Sequence, residues 1–487
     1  MATTFTCRLR LIATCGALAS LAACTVGPDY HGPQSASAAQ YVPGAAPATL
    51  QAAGVTQRIV GADDIRADWW TMFASPRLDA LVGDALAASP MLDAARARLV
   101  RAQEERGAAG DAVAWPSANL RAGIERQRID PAAMGLTGVP TPGPFTLYNV
   151  GVDVSYAFDV FGGTRRALEG LAADVDYRRY ELEAAQRTLA ANVVTTALRQ
   201  ASLATQIATL ERIAAAQHDT LAIAQKRFDL GAIAEVELAS QRALVAQTDA
   251  RLPPLRAELA RTVHRLAVYA GREPATATAP PFMLADFTLP PQIPLTLPSQ
   301  LAQRRPDVRA SAALLHRASA DIGVATANLY PQFNFSGNAS SSRTRLADIA
   351  NGINIWSIGL DLAQPLLRGP ELAARRRAAI AAFDAAKATY RDSVLHALQD
   401  VADTLRALEA DSQALAARSE QADAARRASD ITRQRYDLGG VSQLALLDAE
   451  RTRLDAELAR DEATAARFAD TAALLDALGG GWWEVSR

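Results

Sequence analysis

The residue with the clearest chemistry is Cys24. It closes the run Leu21-Ala22-Ala23-Cys24, which has the form of a bacterial lipobox. Small residues at those positions fit a signal peptidase cleft, and the cysteine thiol is the nucleophile that accepts a diacylglycerol. Upstream, Arg8 and Arg10 precede an apolar stretch from Leu11 to Ala23. That stretch is too short to span a bilayer and ends in small residues, so it reads as a cleaved secretory signal. Cys7 and Cys15 fall inside it, which leaves Cys24 as the only cysteine of the mature chain and allows no disulfide framework. Thr25 stands where inner-membrane retention signals typically carry Asp, so sorting to the outer membrane is expected. Two or more acyl chains on one cysteine give stable anchoring.

Other reactive groups form no constellation. The five histidines, His31, His218, His264, His316 and His396, show no metal-ligand spacing. There is no phosphate-cradling glycine loop and no nucleophile elbow. The sequence therefore predicts no enzyme and no cofactor. With 50 basic and 52 acidic residues the net charge is −2, and loss of the two signal arginines leaves −4. A nucleic-acid binder would normally carry a clustered basic excess. Abundant alanine with only 6% aromatic residues favours long, closely packed helices.

The elements that must organise this chain come in duplicate. Arg227-Phe228-Asp229-Leu230-Gly231 recurs 208 residues later as Arg435-Tyr436-Asp437-Leu438-Gly439. At the same offset Gly151-Val152-Asp153-Val154 matches Gly359-Leu360-Asp361-Leu362. Upstream, Trp115-Pro116 matches Tyr330-Pro331, with seven extra residues in the first copy before the shared glycine. Each copy opens with alternating segments. Ala118, Leu120, Ala122 and Ile124 alternate with polar or small residues, as do Val150, Val152, Val154, Tyr156 and Phe158. In the second copy Phe333 and Phe335 alternate with Asn334 and Ser336, and Trp356, Ile358, Leu360 and Leu362 share one face. Period-two patterning marks half-buried strands, of a length an outer membrane would require.

A long helical stretch follows each strand pair. No proline occurs from Thr164 to Asp229, nor from Glu371 to Asp437. At about 1.5 Å per residue each run spans on the order of 100 Å. Leu168, Val175, Leu182 and Leu189 recur every seven residues, as do Leu252, Leu259 and Leu266, the spacing of a coiled-coil seam. Gly231 and Gly439 suit left-handed turns that end the helices. Pro253-Pro254 interrupts the returning helix of the first repeat where the second has Asp461-Glu462, and a kink is expected there.

Four strands are too few to close a barrel around a lumen, and an open sheet in lipid leaves unsatisfied edges. The chain is therefore expected to share its barrel. Three copies give twelve strands, an even number that suits outer-membrane barrels.

These residues resemble a known family. Asp68-Trp69-Trp70, then Phe73, Pro76 and Leu78, resemble the opening motif of TolC-type outer-membrane factors. Leu297-Pro298-Ser299 with Arg305-Pro306-Asp307 and then Tyr330-Pro331 resembles the start of their second repeat. Cys24-Thr25-Val26-Gly27-Pro28-Asp29-Tyr30 resembles the mature start of the lipoprotein, NodT-like branch, which serves resistance-nodulation-division multidrug pumps. The resemblance covers nearly the whole mature chain. It implies a mainly α protein with a membrane β-barrel, built as two repeats of a coiled-coil hairpin plus a β-hairpin. The homotrimer would form a twelve-stranded barrel on an α-helical tunnel. A periplasmic adaptor (membrane fusion protein) would join that tunnel to an inner-membrane resistance-nodulation-division transporter, which supplies the energy.

The resemblance also implies a periplasmic gate at the helix tips. Tyr436 through Leu444 and Leu447-Asp448-Ala449 match the family's aperture segment, with Leu444 and Asp448 on its constriction positions. Three copies would give an apolar ring and an acidic ring, and acidic rings select cations. An acidic position of some relatives is Ala445 here, which leaves one acidic ring. Glu237 holds the corresponding place in the first repeat and is a candidate hydrogen-bond partner of Tyr436 in a closed state. Arg375-Arg376-Arg377 reads as a solvated belt near the periplasmic membrane face. Trp69, Trp70, Trp482 and Trp483 read as packing anchors of an equatorial belt.

The expected division is a signal peptide at 1–23, a lipid anchor and equatorial segment at 24–90 and a first repeat at 91–270. In that repeat strands fall at about 117–130 and 145–160, with an extracellular loop from Asp130 to Pro144 and a helical hairpin at about 164–270. A proline-rich equatorial linker at 271–305 leads to a second repeat at 306–478, with strands at about 332–344 and 352–366 and a helical hairpin at about 371–478. Residues 479–487 form a tail. The expected location is the outer membrane, lipid-anchored and spanning, with a periplasmic tunnel, and the expected role is an efflux exit duct. Two alternatives stay open: a periplasmic coiled-coil adaptor or scaffold without a pore, and a duct for type I protein secretion. Cys24→Ala should abolish incorporation of labelled palmitate; a variant that still takes up the label would remove the lipobox reading.

Overall fold

The computed structural model describes residues 25–33, 40–44, 48–52, 55–61, 65–135, 138, 140–276 and 280–480. Cys24, Trp482 and Trp483 lie outside the described residues. In chain order the elements are β1 (Thr49–Ala52), β2 (Val55–Gly61), α1 (Pro76–Ala88), α2 (Pro90–Ala114), β3 (Ser117–Gln127), β4 (Phe145–Phe158), α3 (Gly163–Asp229) and α4 (Glu235–Tyr269). There follow β5 (Gln292–Leu295), α5 (Pro298–Arg304), α6 (Pro306–Ala327), β6 (Gln332–Arg343), β7 (Ile355–Ala363), α7 (Gly369–Asp437) and α8 (Gln443–Ala477).

The chain divides into two compact units. One comprises Arg98–Arg178 and Ser311–Tyr390 with the described N-terminal residues up to Pro33. Its centre is a four-stranded antiparallel sheet in the order β3-β4-β6-β7. The register sorts side chains as the alternation predicts. Leu120 lies opposite Val152, Val152 opposite Ala339, and Ala339 opposite Trp356. This face is apolar and uncovered: Trp356 is 71% exposed and Ile358 70%. Bare apolar surface on that scale marks contact with lipid or another chain. The opposite face is a polar network. Asp153 pairs with Arg121 at 2.7 Å and accepts from Asn338 Nδ2 at 2.6 Å. Ser336 Oγ donates to Asp361 at 3.2 Å, and Ser117 and Ser155 hydroxyls meet at 2.6 Å. The outer strands β3 and β7 are each paired on one side only.

The second unit comprises the described parts of Gln34–Ala97, Arg179–Ala310 and Arg391–Arg487. Here the Ala-rich helices α4 and α8 return along the distal parts of α3 and α7. Ile207, Leu210, Ile213, Leu252 and Leu454 form one apolar cluster, in which the second heptad run, beginning at Leu252, meets the opposite repeat. The helix α4 continues unbroken through Pro253 and Pro254 and has 35 residues, the same as α8. Both prolines lie at exposed positions, whereas Asp461, the counterpart of Pro253, is buried and accepts from Thr209 Oγ1 at 2.9 Å. The expected asymmetry is therefore one of contacts, with the helix itself preserved.

A small sheet, β1-β2-β5, was not anticipated by the sequence. The strand β1 pairs antiparallel with β2, and β5 from the proline-rich linker adds parallel to β2. Its Gln57 side chain is buried, donating to Pro290 O at 3.0 Å and accepting from Arg467 Nη2 at 2.5 Å. The fully buried Arg467 also donates to Leu408 O at 2.5 Å. Trp69 and Phe73 are fully buried, Phe73 lying 6.3 Å from Phe468, so the opening aromatic motif is a packing anchor.

Asp411 sits near Arg467. Burial and the neighbouring Asp470 carboxyl push its pKa up to about 6, against the opposing pull of the guanidinium. Folding thus favours the protonated form, and the associated stability is complete at low pH and lost as pH rises through about 6. Asp411→Asn should raise the unfolding midpoint more at pH 8 than at pH 5. Equal shifts at both pH values, read by circular dichroism, would show that the carboxyl does not titrate in this way.

Candidate functional site

The helix tips are built the same way in both repeats. Gly231 and Gly439 each adopt φ of +73°, a left-handed conformation that side chains with a Cβ enter at a cost. The Gly231 N–H donates to Phe228 O and that of Ala232 to Arg227 O, both at 2.8 Å. Gly439 and Gly440 repeat the pattern to Tyr436 O at 2.9 Å and Arg435 O at 2.7 Å. These are Schellman closures, which satisfy the last carbonyls of a helix. In the second tip Ser442 Oγ caps α8, accepting from the Ala445 N–H at 3.3 Å.

Leu444 and Asp448 lie one turn apart on α8, so they share a face, and both are exposed. Among the described residues the Asp448 carboxylate makes no hydrogen bond or ion pair. At the equivalent places α4 carries Val236, 69% exposed, and Ser240, whose hydroxyl turns back to Val236 O at 2.7 Å. At these two places the first repeat therefore offers an apolar residue but no carboxylate.

Tyr436 accepts a hydrogen bond from Arg227 Nη1 at 2.8 Å, with the guanidinium 5.8 Å from its ring centre. This ties the tip of one repeat to that of the other. Glu237, which the sequence offered as a partner of Tyr436, makes no side-chain hydrogen bond among the described residues. Arg227 was missed because its functional partner lies 209 residues away. The signal was nevertheless present: the repeats read Arg-Phe-Asp-Leu-Gly and Arg-Tyr-Asp-Leu-Gly, so only the second adds a hydroxyl.

A second equivalent pair carries reversed chemistry. Arg242 Nη2 donates to Gln225 Oε1 at 2.6 Å in the first hairpin. The positions 208 further on hold Arg433 and Glu450, which form an ion pair. Burial pushes the Glu450 carboxyl up in pKa, and the Arg433 and Arg453 charges oppose it.

Far from the tips in sequence, residues 25–30 are docked on both repeats. Val26 N–H donates to Phe161 O at 3.1 Å, and Asp29 pairs with the buried Arg166 at 2.7 Å. Tyr30 stacks on His316, ring centroids 4.2 Å apart, and its hydroxyl donates to Ala312 O at 3.3 Å. Gly27 has φ of +101°, and a Cβ there would stand 2.5 Å from Gly323 Cα. The motif after the cysteine thus specifies a docked segment. Burial would raise the Glu169 carboxyl, but hydrogen bonds from Arg166 and His316 hold it below the usual range. Among the described residues no group of three or more His, Cys, Asp or Glu side chains could hold a metal ion.

A hydrogen bond such as that of Tyr436 typically contributes ~0.5–1.5 kcal/mol. Tyr436→Phe keeps the ring and removes the bond, so tip amides should exchange with deuterium about 2- to 12-fold faster. Unchanged protection would show that the link carries no weight.

A family model described as Outer membrane efflux protein matches residues 81–272 and 297–480. The pyoverdine export outer membrane protein OpmQ of Pseudomonas aeruginosa is 30% identical over 427 residues, covering 86% of this chain and 88% of its own. The toluene efflux pump outer membrane protein TtgC of Pseudomonas putida is 27% identical over 479 residues, covering 95% and 94%. The solved outer-membrane channel OprN superposes with a TM-score of 0.84 at 28% identity, covering 94% of this chain and all of that one. The open state of the Neisseria gonorrhoeae MtrE outer membrane channel gives 0.80 at 25%, covering 94% and 99%.

Proposed function

The chain belongs to the outer membrane efflux protein family, and we propose that three copies form the passive exit duct of a tripartite efflux pump. The observation that carries this reading is the four-stranded sheet, apolar on one face, polar on the other and open at both edges. Three such sheets close twelve strands with lipid outside and a wet lumen inside. The long helices continue the lumen into the periplasm as a tunnel. Acylated Cys24 adds a lipid anchor beside the seated Thr25–Tyr30 segment.

Transport through the duct requires no bond chemistry. Relatives are named for pyoverdine, toluene and antibiotic export. Such different cargoes favour a wide conduit whose selectivity belongs to the inner-membrane resistance-nodulation-division transporter. At the tips, three copies of Leu444 and Asp448 form an apolar and an acidic ring, and Arg227–Tyr436 holds neighbouring hairpins together. The exposed apolar residues Leu230 and Leu438, 83% and 88% accessible, stand at both tips and suit docking of a periplasmic adaptor. Opening requires the adaptor and pump to bind the open tips more tightly than the closed ones.

Planar-bilayer recording of the purified protein tests the reading. Wild type should show a small, mostly closed conductance that Asp448→Ala increases, with reduced cation selectivity. A conductance indifferent to Asp448→Ala would remove the acidic ring and keep the duct; no conductance under any condition would remove the duct. Loss of tolerance to small toxic compounds on gene deletion, with protein secretion intact, would separate efflux from type I secretion.

A further inference from the structure

The duplication makes one contact within the chain a template for a contact between chains. Helix α6 of the second repeat lies along the start of α3 of the first. Three approaches fix their register. Tyr330 stacks on Phe161 at 4.7 Å between centroids. A Cβ built at Gly163 would lie 3.0 Å from Ala327 Cβ, and one at Gly170 would lie 3.7 Å from Ala320 Cβ. Ala320 and Ala327 are correspondingly buried.

The strand order β3-β4-β6-β7 places β6 beside β4, so the next strand beyond β7 is a β3 that this chain cannot supply. The relation of α3 to α6 then recurs as that of α7 to the α2 of another copy. Positions transfer by element starts, two residues off the 208-residue offset of the flanking blocks: the first helical bonds, Arg166 N–H to Gly162 O and Leu372 N–H to Arg368 O, correspond in this register. Tyr330-Pro331 matches Trp115-Pro116, and Gly163 and Gly369 each begin a long helix. Tyr330, Ala327 and Ala320 map to Trp115, Ala112 and Glu105. Phe161, Gly163 and Gly170 map to Leu367, Gly369 and Arg376.

The mapped positions lack the cover their counterparts have. Trp115 is 73% exposed and Leu367 is 96% exposed. Glu105, Ala112 and Trp115 recur at spacings of seven and three, which puts them on one exposed stripe leading off α2. Where the template sets Ala320 against Gly170, the map sets a carboxylate against a guanidinium. Glu105 has only a 3.5 Å pair with Arg101, and among the described residues Arg376 has no side-chain partner.

We infer that Trp115, Ala112 and Glu105 of one protomer pack against Leu367, Gly369 and Arg376 of the next, the Glu105–Arg376 charge pair setting the register between copies. This rests on the three-copy assembly proposed above. It moves the Arg375-Arg376-Arg377 run from a solvated belt into a subunit interface, and it gives the bare Trp115 an occupant, the elbow between β7 and α7.

The template separation of 3.7 Å lies within the Cβ–Cβ range of a disulfide, roughly 3.5–4.5 Å. The double variant Glu105→Cys, Arg376→Cys, oxidised in detergent, should therefore give a reducible ladder up to covalent trimer on denaturing gels. Neither single variant should do so, since the sulfur of Cys24 is held as a thioether. Native mass spectrometry separates the two ways of failing. A monomeric particle would remove the assembly itself. A trimer without the ladder, or with an equal ladder from Arg101→Cys, Arg376→Cys one turn away, would overturn the register alone. Should the cysteine variant fail to fold, charge exchange decides. Glu105→Arg should reduce detergent-resistant trimer severalfold and Arg376→Glu added to it should restore the trimer; no restoration would overturn the pair.

Discussion

A strand in hydrocarbon has no water to satisfy the amides and carbonyls along its free edge, and each unmet group costs several kcal/mol. Here β3 and β7 are such edges, separated by only two other strands. Most of the molecule answers to that constraint. The sheet must be continued by further copies, and its side chains must divide into a face for lipid and a face for water. Helices leaving successive strands must stand in the strand order. The turn between β4 and α3 is accordingly held firm: Asp159 accepts from the Thr164 and Arg165 N–H groups at 3.0 and 2.8 Å, capping the helix as it begins.

Duplication meets the constraint economically and leaves the two copies free to diverge. The backbone closures at Gly231 and Gly439 match bond for bond. The side chains around them do not. Gln225–Arg242 becomes Arg433–Glu450, and Val236 and Ser240 become Leu444 and Asp448. A trimer of such chains has six similar hairpins of two alternating kinds, so a ring of charge can be threefold while the tube around it is close to sixfold.

The fold was legible where a pattern repeats locally. Alternation exposed the four strands, and the proline-free stretches exposed the helices α3 and α7. Paired glycines exposed the tips. The small sheet β1-β2-β5 was hidden because two of its strands have only 4 residues and β5 carries Pro294, so no period can establish itself. Arg467 looked like any surface arginine on a helix. Its burial depends on Gln57, 410 positions away, and on a carbonyl of α7. At the tips, Leu444 and Asp448 were singled out by the resemblance to the family's aperture segment, whereas Arg227 as the partner of Tyr436 required the tertiary arrangement. Pro253-Pro254 lies within a continuous helix, and the asymmetry it brings is the absence of the buried contact that Asp461 makes in the other repeat. Two missing N–H donors on an exposed helix face leave carbonyls that water can satisfy, so the helix continues.

The seat of Thr25–Tyr30 bears on the order in which the protein matures. Tyr30 meets Ala312 across 282 positions and Asp29 meets Arg166 across 137. Contacts of such separation close large loops and form late, after the intervening chain has collapsed. The segment Thr25–Tyr30 is thus fastened only after α6 of the second repeat has formed. With α6 folded against α3, the segment is pinned by Arg166 on one helix and by Ala312 and His316 on the other.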